Sequence, residues 1–343
     1  MENTQNKTKL EQVQQEKVNI AFFGPPGSGK SSLINAICGA QVVEVGVQTD
    51  TTQEAKIVEH GELNLVDLPG YGTSRFPQHT FFASFNPLQY ELFVCVFAGK
   101  LQQADTEFFH QVTALGKPCI FVRNKTDEIY EEDKTLAQSQ ELIRQDVAKQ
   151  LATADFTLVF VSARADLQQG IGELNNCLAS KLDAARREKY IMAAKAYTKK
   201  QLEQKKTVAL KYVKQASHLA ALNGLNPVLG VDAAVDLAIL HKMYGAIRTC
   251  FAITASAVED STLTVGTKSF ILKGMSREGI RLILTTVGKK LAAKTVLKYI
   301  PLVGQAAASY IGYSLAKKAG TDYVEACYQV AEEQMYKTLD VKK

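Results

Sequence analysis

Three short clusters carry the residues of this 343-residue chain that could do chemistry. The first is Gly24-Pro25-Pro26-Gly27-Ser28-Gly29-Lys30-Ser31. Its G-x-x-x-x-G-K-S spacing sits between an apolar run ending at Phe23 and a helical stretch opening at Ser32. Glycines let the backbone curl so that successive N–H groups, from Gly24, Gly27, Ser28, Gly29, Ser31 and Ser32, face phosphate oxygens. The helix start adds partial positive charge. Lys30 is placed to bridge the β- and γ-phosphates, and the Ser31 hydroxyl to ligate Mg2+.

The second cluster, Asp67-Leu68-Pro69-Gly70, follows another apolar run and lies 37 residues after Lys30. An aspartate at a strand end holds the Mg2+ through water, and the Gly70 N–H bonds the γ-phosphate. The third is Asn124-Lys125-Thr126-Asp127. A carboxylate accepts from both N1–H and the exocyclic amine of guanine, whereas adenine has no N1–H and leaves Asp127 unpaired. The Lys125 stem packs flat on the base. This cluster therefore speaks for GTP and GDP over ATP. Ser162-Ala163-Arg164 completes the set, with its backbone meeting guanine O6.

The switch threonine, a further Mg2+ ligand, belongs between the first two clusters. Thr49, Thr51 and Thr52 are the candidates. Thr52 is preferred because Thr52-Gln53-Glu54 has a T-x-E pattern seen after that threonine in several GTPases, with Thr51 a close second. Tyr71 stands where Ras-like proteins place a glutamine that orients water. Hydrolysis then needs another group, another water position or a partner molecule.

Elements that place these clusters are legible as alternating patterns. Apolar runs at 18–23, 63–66, 92–97, 119–122 and 158–161 read as strands buried on both faces. Helical stretches at 31–39, 104–115, 136–152 and 171–183 separate them, so the sheet should be mostly parallel with helices on both faces. Beyond residue 182 the strand signals mostly stop. Residues 184–222 read as one long helix capped by Asn223-Gly224, and further helices follow. Residues 261–272 are rich in Thr, Val, Ile and Phe, and a short hairpin there is left open. The expected architecture is a Ras-like α/β P-loop GTPase domain over 18–183, then an all-α helical domain over 184–343.

Composition fits that outline. At 46% hydrophobic and 22% charged residues, the chain is of globular type and long enough for about two domains. Its six cysteines are never closer than 24 residues, which argues against a zinc site or a disulfide framework and for reduced, cytoplasmic thiols. No apolar signal-peptide core occurs near Met1. The net charge of +5 hides a split: residues 1–180 carry 14 basic and 22 acidic side chains, residues 181–343 carry 26 and 13. The basic half could meet an anionic membrane surface. It shows no RNA-binding signature, so nucleic acid is not the expected partner. The uncharged stretch 299–316 is short for a membrane span and reads as a core helix, with a membrane-dipping segment as the alternative.

With these residues in place, the chain resembles the immunity-related GTPase family, a dynamin-like group. Gly29-Lys30-Ser31-Ser32 with Ile34-Asn35 is similar to its P-loop and first helix. Asp67-Leu68-Pro69-Gly70 followed by Gly72-Thr73 and Phe76-Pro77 is similar to its second switch, beyond what nucleotide binding demands. Gly230-Val231-Asp232-Ala233-Ala234-Val235-Asp236 and Tyr299-Ile300-Pro301-Leu302-Val303-Gly304 resemble segments of its helical domain. The resemblance implies that residues 1–17 pack with the helical domain. It implies GTP-dependent self-association through GTPase domains and peripheral action at membranes. It also implies that Asp50, two positions before Thr52, assists hydrolysis in the dimer. Two departures stand out: Asn124 replaces a threonine common in the family, and Glu2 leaves no glycine for N-myristoylation. The competing function is a monomeric GTP/GDP switch whose basic helical domain docks a protein or RNA.

Overall fold

A computed structural model describes residues 17–43, 55–69, 81, 85–222, 233–293 and 304–340. The Asp50, Thr51, Thr52, Gly70 and Tyr71 assignments, the Asn223-Gly224 cap and the 1–16 segment lie outside the described residues. The chain divides into two compact units, meeting between Lys195 and Ala196.

The first unit is built on six strands: β1 (Val18–Phe23), β2 (Lys56–His60), β3 (Leu63–Asp67), β4 (Leu92–Phe97), β5 (Cys119–Arg123) and β6 (Thr157–Phe160). Their order is β2-β3-β1-β4-β5-β6, and every pairing is parallel except β2 with β3. The five apolar runs all became strands. The sixth, β2, carries no apolar run. It is an edge strand with exposed Lys56, Ile57 and Glu59, held to β3 by a two-residue turn at Gly61-Glu62. Helices α1 (Lys30–Cys38), α2 (Gln103–Ala114), α3 (Leu136–Leu151) and α4 (Ile171–Lys181) intervene. Phe23 stacks on Phe108 of α2 with ring centroids 3.9 Å apart, and Phe93 and Phe81 meet the same ring edge-on. β1 lies at the reversal of strand order, the place where open α/β sheets hold ligands beyond their strand C-termini.

The long helix expected over 184–222 is two helices, α5 (Ala184–Ala193) and α6 (Lys199–Leu222). No Gly or Pro interrupts the sequence. Hydrogen bonds end α5 instead: the Lys195 N–H donates to Ile37 O at 2.9 Å, and Asn175 Nδ2 donates to Lys195 O at 3.0 Å. Tyr190 of α5 is buried and donates to Asn175 Oδ1 at 2.8 Å. α5 thus belongs to the first unit, and the division falls later than the expected 183/184. Thr198 and Gln201 then form a reciprocal cap that opens α6: Thr198 Oγ1 accepts from Gln201 N at 3.2 Å, while Gln201 Oε1 accepts from Tyr197 N at 2.8 Å.

Every regular element among the described residues of the second unit is a helix. After α6 come α7 (Ala233–Phe251), α8 (Ala255–Glu259), α9 (Val265–Lys273), α10 (Arg277–Ala293) and α11 (Gly304–Asp340). The stretch left open as a hairpin contains α9, capped by Thr264 accepting from Thr267 N. Its β-branched residues serve as caps and packing, not as strand. Inside the unit, Tyr323 of α11 lies 4.2 Å from Tyr244 of α7, ring to ring, and its hydroxyl donates to Ile271 O at 2.9 Å. Among the described residues no helix is long and apolar enough to cross a membrane.

Candidate functional site

The loop between β1 and α1 has the curl its glycines predict. Gly24 takes φ 133°, and a Cβ there would lie 2.0 Å from Val96 O of β4. Gly29 takes φ 89° and caps α1 without a side-chain partner, so the first-turn N–H groups stay available to an anion. A Cβ on Gly29 would strike Asn124 Nδ2 at 2.3 Å. Only glycine fits at either point.

Lys30 opens α1 and is 8% exposed. Its ammonium folds back over the loop, donating to Gly24 O at 3.1 Å and Pro25 O at 3.4 Å. Burial pulls it below the ordinary lysine range, opposed by the charges of Asp67 and Asp105. Asp67 closes β3 at 1% exposure. Burial pushes its carboxyl up, against Lys30 and a hydrogen bond from Ser31. Ser31 Oγ donates to Asp67 Oδ2 at 2.9 Å, whereas Asp67 Oδ1 is buried with no hydrogen-bond partner. A buried carboxylate oxygen without a donor, beside a hydroxyl, suits a hard divalent cation.

Just past the C-terminus of β5, Asn124 turns both ends of its amide onto loops. Nδ2 donates to Ser28 O at 2.9 Å, and Oδ1 accepts from Ala163 N at 3.0 Å. The expected base-reading motif therefore begins with a brace between the phosphate loop and the loop after β6. That brace also engages the Ala163 N–H. Lys125 follows with φ 57°, and Asp127 lies in a single 3-10 turn. The Ser162 hydroxyl first, and then the Arg164 guanidinium, hold the Asp127 carboxyl below its usual range. Arg164 Nη1 reaches Asp127 Oδ2 at 3.3 Å.

The structure thus gathers Gly24, Gly27, Ser28, Gly29, Lys30, Ser31, Ser32 and Asp67 at one end of β1 and β3. Through Asn124 it ties them to Lys125, Asp127, Ser162 and Ala163. One buried acid escaped the sequence reading. Asp105, 3% exposed, caps α2 by accepting from Gln102 N at 3.2 Å, and burial pushes it up to about 6 against the pull of that bond and of Lys30. Its signal was obscured because Gln102 is an uncommon N-cap residue.

A family model for interferon-inducible GTPases (IIGP) matches residues 2–336. The chain belongs to the interferon-inducible GTPase family. Among curated relatives, Interferon-gamma-inducible GTPase 10 of Mus musculus is 25% identical over 277 residues, covering 73% of this chain and 64% of that protein. Interferon-inducible GTPase 1 of Mus musculus is 24% identical over 267 residues, covering 73% and 65%. The chain therefore spans a little under two thirds of the length of these two relatives. GTPase Der of Symbiobacterium thermophilum is 32% identical over 160 residues, 43% of this chain and 33% of that one. Among solved structures, Aquifex aeolicus Era bound to GDP and AlF4- is similar with a TM-score of 0.40 and 18% identity, covering 60% of this chain and 68% of that one. For this member of the family, the mostly parallel sheet and the helices of the second unit's described residues are as the sequence implied.

Proposed function

We propose that this chain binds GTP and hydrolyses it to GDP and phosphate. The observation that carries the reading is the convergence of Lys30, Ser31 and Asp67 on one loop end, locked through Asn124 to the loop bearing Asp127. The first-turn N–H groups of α1 would hold the β- and γ-phosphates, and the Lys30 ammonium would leave Gly24 O and Pro25 O to join them. Asp127 accepts from guanine N1–H and the C2 amine, and Lys125 covers the base. Ser31 and Asp67, with Thr52, would hold Mg2+; the cation neutralises charge on the phosphates when bound. Gly70 bonds the γ-phosphate through its N–H.

Tyr71 offers no carboxamide to orient water. The missing group comes from a second molecule: GTPase domains pair in the GTP state, and Asp50 assists hydrolysis there. The basic helical unit meets an anionic membrane surface from the cytoplasm. The split between 14 basic and 22 acidic residues in 1–180, and 26 and 13 in 181–343, equally favours a second reading. In that reading the chain is a monomeric switch docking a protein or RNA. Turnover per molecule across protein concentration, with light scattering in GDP and in a GTP analogue, separates the two. Turnover that climbs together with GTP-state oligomers supports self-activation; flat turnover from a monomer supports the switch. Co-sedimentation with phosphatidylserine vesicles tests the membrane part, and no sedimentation in any nucleotide state would remove it.

A further inference from the structure

The Arg164 side chain has no part in the nucleotide contacts described so far, yet it is fixed from two directions. Its Nε and Nη2 donate to Asp166 Oδ1 at 2.7 Å and Oδ2 at 2.5 Å, a bidentate fork. Its remaining nitrogen, Nη1, donates to Asp127 Oδ2 at 3.3 Å. The backbone beneath is equally defined. Ser162 N donates to Gln169 O, and Leu167 N and Gln168 N both donate to Arg164 O, closing the loop after β6 as a tight turn. The Arg164 side chain is 60% exposed. It therefore approaches Asp127 from solvent.

We infer that Arg164 is a positioning residue for guanine recognition: anchored by Asp166, it fixes the rotation of the Asp127 carboxylate so that both oxygens meet the base. The inference rests on the reading of Asp127 as the guanine acceptor and goes beyond it. A carboxylate free to rotate about its Cβ–Cγ bond loses the two-point match to N1–H and the C2 amine. One held by a planar guanidinium keeps it, because each oxygen has a second lone pair for the base. Lysine offers a point charge without the fork, so it cannot hold Asp166 and Asp127 in one plane. An exposed ion pair contributes modestly, so the expected effect is about two- to fivefold.

The test is equilibrium titration of the full chain with fluorescent GDP, IDP and ADP analogues. IDP lacks the C2 amine, so its affinity relative to GDP reports the two-point contact. Wild type should prefer GDP over IDP and reject ADP. Arg164→Ala should weaken GDP about two- to fivefold and IDP less, so that the preference narrows. Arg164→Lys should fall between, and Asp166→Asn should narrow the preference in the same direction with Arg164 still present. A merely structural Arg164 would change both nucleotides equally or not at all, and either result overturns the inference. Tighter GDP binding by Arg164→Ala overturns it as well, since it would make the pair a competitor of the base. If wild type fails to prefer GDP over ADP, the guanine reading itself falls and the inference with it. If that preference holds while Arg164→Ala leaves the GDP-to-IDP ratio unchanged, only the role of Arg164 falls.

Discussion

Asn124 Nδ2 donates to Ser28 O across a gap of 96 residues in sequence, at 2.9 Å and out of contact with water. With Ala163 N on its other end, this one side chain sets the distance between the phosphate loop and the base loop. The Ser28 loop and the Ala163 loop are therefore tied to each other through one buried amide.

Asn124→Ala removes both bonds and leaves a buried carbonyl and a buried N–H unpaired. Each such orphan costs roughly 1–3 kcal/mol. The expected outcome is a stability loss of about 2 kcal/mol or more in urea unfolding, with GDP affinity falling by about tenfold or more. Unchanged affinity in a folded variant would mean the brace does not set the site.

Lys30→Ala should abolish tight GTP binding and turnover, since the ammonium already lies over the loop that receives the phosphates. GDP titration and phosphate release check it, and wild-type turnover would contradict the phosphate-loop reading.

Asp105→Asn yields a prediction in pH. The folded carboxyl stands at about 6, raised by burial from an unfolded value of about 4. Stability from a raised acid is fully present below about 4 and is lost as pH rises through 6, because the folded state resists ionisation. Asparagine removes that dependence. The variant should match wild type near pH 4 and exceed it by up to ~3 kcal/mol at pH 7.5, as read from urea midpoints. Equal stability at both pH values would refute the assignment.

Lys205 gives the opposite sign in the second unit. It is 5% exposed, donates to Cys250 O at 2.7 Å near the end of α7, and burial lowers it to about 8. A lysine lowered on folding binds fewer protons folded than unfolded, so stability rises with pH between about 8 and 10. Lys205→Met should flatten that rise. A wild-type slope retained in the variant would place its origin elsewhere.

Much of this was legible in the sequence because single-residue chemistry and apolar runs are local signals. Residue type and spacing point to Gly24 to Ser31, Asp67 and Asp127, and uninterrupted apolar residues point to the five buried strands. What was not legible depends on partners distant in sequence. β2 has too few apolar residues to signal a strand and exists because β3 offers an edge. The stop after Ala193 comes from Ile37 and Asn175, not from a helix breaker. The Thr198–Gln201 capping pattern was present in the sequence and would have marked the start of α6. Asp105 looks like any surface acid until the fold buries it beside the charge of Lys30.

The central claim is that Asp127 makes this a guanine-nucleotide hydrolase, and Asp127→Asn tests it most directly. Turnover of GTP and of XTP is measured for wild type and variant under the same conditions. An amide in place of the carboxylate should lose GTP and gain XTP, whose C2 oxygen accepts where guanine's amine donates. Preference should reverse, with phosphate release retained on XTP. A variant that still prefers GTP, or a wild type that hydrolyses ATP equally well, would contradict it.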